Sequence, residues 1–384
     1  MLLQGLRVVE MGFWVAAPAA AGLLADWGAD VVKIEPPRGD PMRQFYRVLA
    51  GVELPSCPGF DLDNRGKRSV ALDLADPAAR AAARALVLGA DVFITNYRLD
   101  ALARLGFDYE SLAAESPRLV YGHVTGYGQD GPDAGRAAYD IGAFWARAGI
   151  ASILAPAGGE PAGSRAGFGD HITASHCVAG VLAALLARER TGKGQLVDAC
   201  LLRSGIYTIG FDVTQQLAFG GVQSLGKREE APSPTITSFK SGDGRWVWML
   251  GVEAERHWPR LCRAFELDAL VDDPRFANPG LRAANCRELI RILDEQFAKR
   301  PLADWIPRFD AVDLWWAPVN TPADVVQDRQ AIAAGAFVDV PNGAGTTQKS
   351  VGSPVRFSGA DVAPRGKVPG IGEHTAEVLA ELRS

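Results

Sequence analysis

The sequence has few cysteines, and they show no pairing pattern. Its 384 residues include Cys57, Cys177, Cys200, Cys262 and Cys286, with no CxxC spacing among them. Such spacing supports neither a zinc knuckle nor a redox motif. An odd, scattered set in a chain of this length is typical of reduced thiols in a cytosolic protein. Cys177 falls in an apolar helical segment and is expected to be a small core residue.

Positive and negative residues are nearly balanced in the sequence. Lys and Arg together number 40 and Asp and Glu 45, which gives a net charge of −5, and no block of like charges occurs. This balance predicts no nucleic-acid surface. A local group of arginines could still bind an anionic ligand.

Long apolar runs and a secretory leader are also missing. Arg7 and Glu10 lie within the first ten residues, where a signal peptide would have its apolar segment. The apolar stretch 15–25 is far shorter than the ~20 residues needed to cross a bilayer. We therefore predict a soluble, cytoplasmic protein with no membrane partner.

What the sequence does have is a regular alternation of strand and helix patterns. Strands are predicted at 6–10, 30–35, 68–72, 91–95, 118–124 and 195–200. Helices are predicted at 17–27, 77–88 and 172–188. Strands that alternate with helices indicate a parallel sheet covered on both faces. We predict an α/β fold whose large, Rossmann-like doubly wound domain spans 1–205.

The pattern changes after residue 205. Residues 206–229 are predicted to form a linker, and 230–325 a smaller α+β domain that begins with a β-hairpin around the turn 241–244. Helices are expected there at 253–265, 285–297 and 302–309. The Gly/Pro-rich segment 326–384 is predicted to return and complete the large domain.

Two common nucleotide and nucleophile motifs are absent. The first loop reads Gly12-Phe13-Trp14-Val15-Ala16-Ala17-Pro18, which is not the GxGxxG turn of dinucleotide-binding folds. Glu35 stands where an acidic residue could bind a ribose, so a nicotinamide-dependent oxidoreductase stays open as an alternative. There is no G-x-S-x-G elbow. His171 and His176 lack the i, i+4 spacing of a helical metal pair, and we predict no metal site.

Several cations follow the predicted strands. Arg38 comes after the second strand, and Arg98 and Arg104 come after the fourth. Ligands of open α/β sheets bind beyond the carboxyl ends of the strands, and arginines there suit a ligand with several phosphates. Asn96 and Tyr97 would add a polar group and an aromatic plane for an adenine.

Asp170 is the most informative single residue. It ends the run Ala166-Gly167-Phe168-Gly169-Asp170, directly before an apolar helix. The two glycines would let the backbone approach a bulky ligand, and the carboxylate could then lie at the floor of a pocket. Asp is equally a favoured N-cap, so from these five residues alone capping stays open as its role.

Together these features resemble the class III CoA-transferase family, which includes formyl-CoA:oxalate CoA-transferase and the carnitine and bile-acid CoA-transferases. The resemblance runs from about residue 6 to the final helix. Its landmarks are Leu6-Arg7-Val8-Val9-Glu10, Gly28-Ala29-Asp30-Val31-Val32-Lys33-Ile34-Glu35, Lys67-Arg68-Ser69, Gly126-Tyr127-Gly128-Gln129-Asp130-Gly131-Pro132, Gly169-Asp170, Thr191-Gly192-Lys193-Gly194-Gln195, Gly352-Ser353-Pro354 and Gly372-Glu373-His374-Thr375.

The resemblance implies a function for individual residues. Asp170 would be the nucleophile that forms an aspartyl anhydride and then an aspartyl-CoA thioester, with acyl-CoA as substrate and no permanently bound cofactor. The residues implied to bind CoA are Arg38, Leu72, Asn96, Tyr97, Arg104 and Tyr139. The family fold is an interlocked homodimer.

The sequence also departs from its relatives. Phe13, Trp14 and Val15 replace more polar residues of formyl-CoA transferase in the loop that the family places over the acyl group. They are expected to line an apolar acyl pocket for a larger acid, or else to pack in a dimer core. A 2-methylacyl-CoA racemase of the same family would place a histidine where Tyr139 stands, so Tyr139 favours a transferase over this alternative.

Overall fold

The structure is a computed structural model that describes residues 1–54, 56–156, 158–221, 227–230, 233–342 and 345–383. The chain forms two compact units. The first comprises Met1–Ser152, Gly163–Gly220 and Ala333–Ser384, and the second Ile153–Ala162 and Gly221–Ile332.

Strands and helices are numbered in chain order. The strands are β1 Arg7–Met11, β2 Asp30–Glu35, β3 Arg68–Ala71, β4 Val92–Thr95, β5 Val120–Thr125, β6 Leu196–Cys200, β7 Ser238–Lys240, β8 Trp246–Met249, β9 Trp316–Pro318, β10 Phe337–Pro341 and β11 Thr347–Val351. The α-helices are α1 Ala16–Asp26, α2 Phe45–Ala50, α3 Pro58–Asn64, α4 Pro77–Leu88, α5 Leu99–Leu105, α6 Tyr109–Glu115, α7 Ile150–Ile153, α8 Phe168–Thr191, α9 Leu201–Thr208, α10 Gly210–Phe219, α11 Ala254–Ala264, α12 Pro279–Ala284, α13 Cys286–Phe297, α14 Leu302–Ala311, α15 Pro322–Val325, α16 Arg329–Ala333 and α17 Thr375–Glu381. Residues 141–146 form a π-helical turn, and short 3₁₀ turns occupy Pro41–Gln44, Arg228–Glu230 and Asp268–Leu270.

A six-stranded parallel sheet organises the first unit. Its strand order is β3-β2-β1-β4-β5-β6, and every neighbouring pair is parallel. The order reverses between β1 and β4, which is where ligands of doubly wound sheets bind. The predicted α/β alternation and parallel central sheet are confirmed.

Alternate residues of the strands face two different cores. Val8 of β1 packs in a cluster with α1 and α8, whereas Val9 packs in a second cluster with α4, α5, α6 and α17. Both are completely buried. The sheet is therefore covered on both faces, which explains why its strands are nearly continuous apolar runs.

Helix α8 begins four residues earlier than the sequence predicts. Gly167 precedes it in a left-handed conformation with φ of 80°, and Gly192 follows it with φ of 71°. Asp170 therefore lies within the first turn rather than before the helix. The helix is long and apolar enough to cross a membrane by composition. Its buried residues Val178 and Val181 lie in the core beneath β5 and β6, and core helices meet the same criterion.

The second unit contains the predicted hairpin, formed by β7 and β8, and helices close to the predicted positions. It also contains β9, which pairs antiparallel with β8 and was not predicted. The predicted linker 206–229 holds the end of α9 and the whole of α10. Residues 153–162 belong to this unit as well.

Of the predicted return segment 326–384, Ala333–Ser384 lies in the first unit, whereas the residues before Ala333 belong to the second. The hairpin of β10 and β11 opens the part in the first unit, and α17 packs beside β3. The His374 backbone N–H donates to the Ser69 carbonyl oxygen at 2.9 Å.

Candidate active site

A cavity of about 470 Å³ lies where the chain leaves the carboxyl ends of β1, β4 and β5. Its wall includes most of the residues that the sequence singles out, although they come from four separate segments. Those residues are Phe13, Trp14, Val15, Asn96, Tyr97, Arg104, Tyr139 and Asp170. Arg98, Arg136 and Leu201 line the same cavity.

Two predicted CoA-binding residues lie outside this wall. Leu72 is buried in the core cluster of α4, α5 and α6, directly after β3. Arg38 is exposed on the loop after β2. Burial raises the pKa of Tyr97, and the positive charge of Arg38 is one of the charges that oppose this rise. Arg38 is thus a surface residue beyond the cavity wall, whereas Leu72 packs against the apolar core.

Side chains from other segments hold the backbone of the first loop. The Asn96 amide donates to the Phe13 carbonyl oxygen at 2.8 Å and accepts from the Phe13 N–H at 3.0 Å. The Lys33 ammonium donates to the Gly12 carbonyl oxygen at 3.1 Å. The loop is therefore fixed through its main chain, and the side chain of Phe13 takes no part in these bonds.

Trp14 adopts an unusual backbone conformation in this loop. Its φ of 65° lies in the left-handed region, which bulky residues rarely occupy. Its backbone N–H donates to Oδ1 of Asp40 at 3.2 Å. Strained backbone of this kind persists only where neighbouring groups hold it, and it is concentrated at functional sites.

A buried ion network lies beneath the loop. Lys33 Nζ is 2.8 Å from Oε1 of Glu10 and 3.0 Å from Oδ2 of Asp40, and Lys67 Nζ is 2.8 Å from Oε2 of Glu10. Burial alone would lower the pKa of Lys33, but the two carboxylates outweigh it and raise that pKa above its usual value. The sequence showed these charges, but not that they meet.

Close packing explains the second glycine of the Gly-Phe-Gly-Asp run. A Cβ atom on Gly169 would lie 2.5 Å from the ring of Phe144. That contact is far inside van der Waals distance, so only glycine fits there. The glycine lets the start of α8 pack against the π-helical turn and sets the position of Asp170.

Asp170 does not cap its helix. The N-cap is Gly167, which has no side chain, and no hydrogen bond of the Asp170 carboxyl occurs within the described part of the chain. The capping role that the pentapeptide left open is therefore wrong. Asp170 instead lines the cavity.

Burial and a neighbouring charge make Asp170 an unusually weak acid. Burial, followed by the negative charge of Asp140, raises the pKa of Asp170 to about 7, and the nearby His171 opposes this rise. Once ionised, such a carboxylate is more basic and therefore more nucleophilic than an ordinary aspartate.

The His171 side chain is hydrogen-bonded to Asp63 rather than to Asp170. Its Nε2 lies 3.0 Å from Oδ1 of the buried Asp63. Burial would lower the pKa of His171, but the hydrogen bond to Asp63 overrides it, and the pKa is raised. The raised pKa favours the protonated, positively charged form of the imidazole beside Asp170.

The arginines form the polar end of the cavity. Arg98 and Arg104 are exposed and have no ion-pair or hydrogen-bond partner for their guanidinium groups among the described residues. Arg136 is paired only loosely, at 3.7 Å from Asp133. Unpaired guanidinium groups at the end of a strand are suited to a phosphorylated ligand.

Aromatic rings form another part of the wall. Tyr97 stacks on Phe13 with ring centroids 4.9 Å apart, and Trp14 meets Tyr139 edge-on at 5.8 Å. The buried His123 holds Tyr97 in place, since its Nε2 is 2.8 Å from the Tyr97 carbonyl oxygen. These rings present apolar surface beside Asp170.

Glu35 is not available to a ribose. It is buried, its Oε1 lies 2.6 Å from Arg43 and accepts from the Ser69 hydroxyl at 2.6 Å, and its Oε2 accepts the Asp40 backbone N–H. Glu35 was the residue that left a nicotinamide cofactor open, and its carboxylate is instead engaged by Arg43, Ser69 and the Asp40 backbone.

No cluster of three or more His, Cys, Asp or Glu side chains able to hold a metal ion occurs among the residues that the structure describes.

Comparison with known proteins shows the family to which the chain belongs. Residues 3–375 match the model of CoA-transferase family III. The chain is 32% identical to (R)-2-hydroxy-4-methylpentanoate CoA-transferase of Clostridioides difficile, covering 100% of this chain and 96% of that protein. It is 33% identical to succinate–glutarate CoA-transferase of Agrobacterium fabrum, covering 100% and 96%. A CAIB/BAIF family protein from Brucella suis superposes with a TM-score of 0.86 at 32% identity, covering 99% and 98%.

The chain therefore belongs to CoA-transferase family III and is a class III CoA-transferase.

Proposed function

We propose that the protein moves CoA from an acyl-CoA to a carboxylic acid, with Asp170 as the covalent nucleophile. The observation that carries this proposal is the position of Asp170. Its carboxyl lines the cavity together with Arg104 and Tyr139, and it has no capping role that would account for it.

The chemistry requires four exchanges. An Asp170 oxygen attacks the thioester carbonyl, the C–S bond breaks, and an aspartyl anhydride and CoA thiolate form. The thiolate attacks the Asp170 carbonyl carbon, which gives an aspartyl-CoA thioester and releases the donor carboxylate. The acceptor carboxylate then attacks this thioester and expels the thiolate. In the last step the thiolate attacks the acceptor's acyl carbon and restores the Asp170 carboxylate.

This sequence needs neither a metal ion nor a net proton transfer. Each step exchanges one activated carboxyl for another, so one difficult transfer is divided into easier ones. The proposed contribution of the chain is to hold the Asp170 carboxyl against the thioester and to bind the CoA. Arg38, Asn96, Tyr97, Arg104 and Tyr139 are the proposed CoA contacts, and Leu72 would contribute only through its backbone or by packing.

The cavity wall favours an apolar acyl group. Phe13, Trp14, Tyr139 and Leu201 offer ring and aliphatic surface, and each buried CH₂ contributes ~0.8 kcal/mol. Arg43, which could have received a second carboxylate, is occupied by Glu35 and the Pro369 carbonyl oxygen. We therefore propose medium-chain, branched or aryl acids as substrates.

Arg136 supports a second candidate class. It lines the cavity and is held only loosely, so it could pair with the second carboxylate of a dicarboxylic acid. Of the two relatives named above, one is named for a branched monocarboxylic acid and the other for two dicarboxylic acids. Arg136→Ala separates the candidates, because it should impair transfer to glutarate but leave transfer to 4-methylpentanoate nearly unchanged.

The racemase of the same family is not favoured. By the family resemblance Tyr139 stands where the racemase would have its histidine base, and the tyrosine ring packs against Trp14. Incubation of a chiral 2-methylacyl-CoA in deuterated water tests this point. We expect no deuterium at Cα in the absence of an acceptor acid, and rapid deuteration would favour the isomerase.

We also propose a homodimer. Helices α9 and α10 carry large apolar side chains that are highly exposed in the single chain, such as Tyr207, Phe211, Leu217 and Phe219 at 78–83%. Contiguous exposed apolar surface usually marks a protein interface. Light scattering during size exclusion measures the mass directly, and a monomer would contradict the proposal.

The transfer reaction itself is tested with purified protein. A panel of acyl-CoAs is incubated with carboxylic acids, and new acyl-CoAs are identified by mass. Transfer of CoA without free CoA accumulating supports the proposal. Hydrolysis without transfer, or no reaction with any pair, would contradict it.

A further inference from the structure

The loop of residues 12–15 is held in place by Asn96, which lines the cavity, and by Lys33 and Asp40, which lie outside the cavity wall. The most constrained of its residues is Trp14, whose φ of 65° must be maintained against the ordinary backbone preference. The indole of Trp14 is part of the cavity wall. Whatever holds this backbone therefore also sets the position of the indole.

Asp40 is the group that holds it. Its carboxyl is buried, and Oδ1 accepts the N–H of Trp14 at 3.2 Å and that of Met42 at 2.9 Å. Its Oδ2 lies 3.0 Å from Lys33 Nζ, and Lys33 also bonds the Gly12 carbonyl oxygen. Asp40 and Lys33 thus fix the loop from two sides through one ion pair.

We infer that Asp40 is a positioning residue that fixes the Trp14 backbone and so sets the acyl selectivity of the enzyme. It touches no reacting atom. The effect on acyl selectivity rests on the proposed function, whereas the positioning of the Trp14 backbone rests only on the hydrogen bond from Trp14 to Asp40.

Asparagine is an informative replacement because it has nearly the same shape. Both carboxylate oxygens of Asp40 are engaged, one by backbone N–H groups and the other by an ammonium. An amide offers only one oxygen, so its NH₂ group must face either the N–H of Trp14 or the ammonium of Lys33. One of the two contacts is lost whichever way the amide turns. Either loss should loosen the loop, because Asp40 holds Trp14 directly and pairs with the Lys33 that holds Gly12.

The experiment compares kcat/KM for phenylacetyl-CoA and acetyl-CoA with one acceptor acid. In Asp40→Asn the preference for phenylacetyl-CoA should fall roughly tenfold relative to the wild type, the size expected when an apolar pocket loses its fit. Trp14→Ala should lower it by a similar factor. In the double variant the second change should add nothing, because Asp40 acts through Trp14.

Asp26→Asn is the matched control. Asp26 is similarly buried in the first unit and pairs with Arg65 at 2.7 Å, but it does not contact the loop. Its variant should lose stability without a change in the acyl preference. A uniform loss of activity with both donors in Asp40→Asn, or additive effects in the double variant, would overturn the selectivity role.

Hydrogen–deuterium exchange provides a readout that does not depend on activity. The amide of Trp14 should exchange faster in Asp40→Asn than in the wild type or in Asp26→Asn. Unchanged exchange would overturn the positioning role even if selectivity changed. If the wild type transfers no CoA, the proposed function fails, whereas faster exchange at Trp14 would still support the role of Asp40 in holding the loop.

Discussion

The backbone N–H of Gly169 donates a hydrogen bond to Oδ2 of Asp140, with 3.1 Å between the nitrogen and the oxygen. The other oxygen of Asp140 accepts the N–H of Ile141 at 2.8 Å, at the start of the π-helical turn. One carboxylate thus ties the first turn of α8 to the segment that carries Tyr139. Because Asp170 directly follows Gly169, the same carboxylate also places a negative charge near the proposed nucleophile.

Asp170→Ala should abolish CoA transfer and leave the fold and CoA binding largely intact. Removal of a covalent nucleophile costs roughly 10³-fold or more in rate. Stability should hardly fall, because Gly167 rather than Asp170 is the N-cap. Exchange by mass spectrometry and circular dichroism measure the two effects. Asp130→Ala, on an exposed loop, is the control, and normal turnover by Asp170→Ala would exclude the proposed mechanism.

The dependence of kcat/KM on pH should show an acid limb near 7. Asp170 must be ionised to attack, and its pKa is raised to about 7 by burial and by Asp140. Asp140→Asn removes the neighbouring charge, so the pKa of Asp170 should fall and the limb should move to lower pH. The midpoint is diagnostic, since damage to the fold lowers the rate at every pH. An unmoved midpoint would mean that another group controls the limb.

Asp170→Asn should make the protein more stable at alkaline pH. Between pH 4 and 7 the folded wild type retains a proton on Asp170 that the unfolded chain has lost, so its free energy of unfolding falls as the pH rises. Above pH 7 the variant avoids this cost and should be more stable than the wild type by on the order of a few kcal/mol. Urea unfolding of both proteins at pH 4 and pH 8 measures the difference. If the two proteins were equally stable at pH 4 and also at pH 8, burial would not penalise the ionised Asp170 carboxylate.

Gly169→Ala should be destabilising and inactive. The added methyl group would lie 2.5 Å from the Phe144 ring, and overpacking of this kind costs typically ~1–3 kcal/mol. The forced shift moves Asp170 with it. Gly359→Ala is the control because its methyl group would meet no atom within 4 Å. Full activity of Gly169→Ala would show that the start of α8 can move without consequence.

Arg38→Ala and Arg104→Ala should each weaken CoA binding. A charge-assisted hydrogen bond contributes roughly 1.5–3 kcal/mol, so the Kd for CoA should rise about 10- to 100-fold. The KM of the acceptor acid should stay nearly constant. Arg190→Ala, at the far end of α8, is the control. Calorimetric titration measures the affinities, and unchanged values in both variants would place the phosphates elsewhere.

The sequence predicted the large-domain sheet well because its strands are short, apolar and separated by helices of ordinary length. It predicted the start of α8 less well. A glycine-rich segment usually indicates a loop, and only the packing of Gly169 on Phe144 shows why the helix can begin at Phe168. Strand β9 was missed because three residues that pair with a strand some 70 positions earlier leave no local pattern.

The residues of the candidate site also fall into those that the sequence revealed and those that it did not. Tyr97 and Arg104 were identified because their residue type and their place after a strand are visible in the sequence, and Asp170 because it ends a glycine-rich run before an apolar helix. Asp40 and Lys33 were missed, since their importance depends on contacts that form only when the first loop, strand β2 and the loop after β2 come together. Asn96 was identified, but its amide is bonded to the Phe13 backbone, and no sequence pattern could show that partner.

The first loop is held through its main chain, so its own side chains that line the pocket can be changed without removing the hydrogen bonds that hold the loop. Lys33, Asn96 and Asp40 bond only to backbone atoms there, so the side chain at position 13 could be exchanged without loss of those bonds. Position 14 is restricted in a different way, because its positive φ is easiest for Gly, Asn and Asp. A library that varies residue 13 freely and residue 14 among those types would redesign acyl preference on an unchanged scaffold.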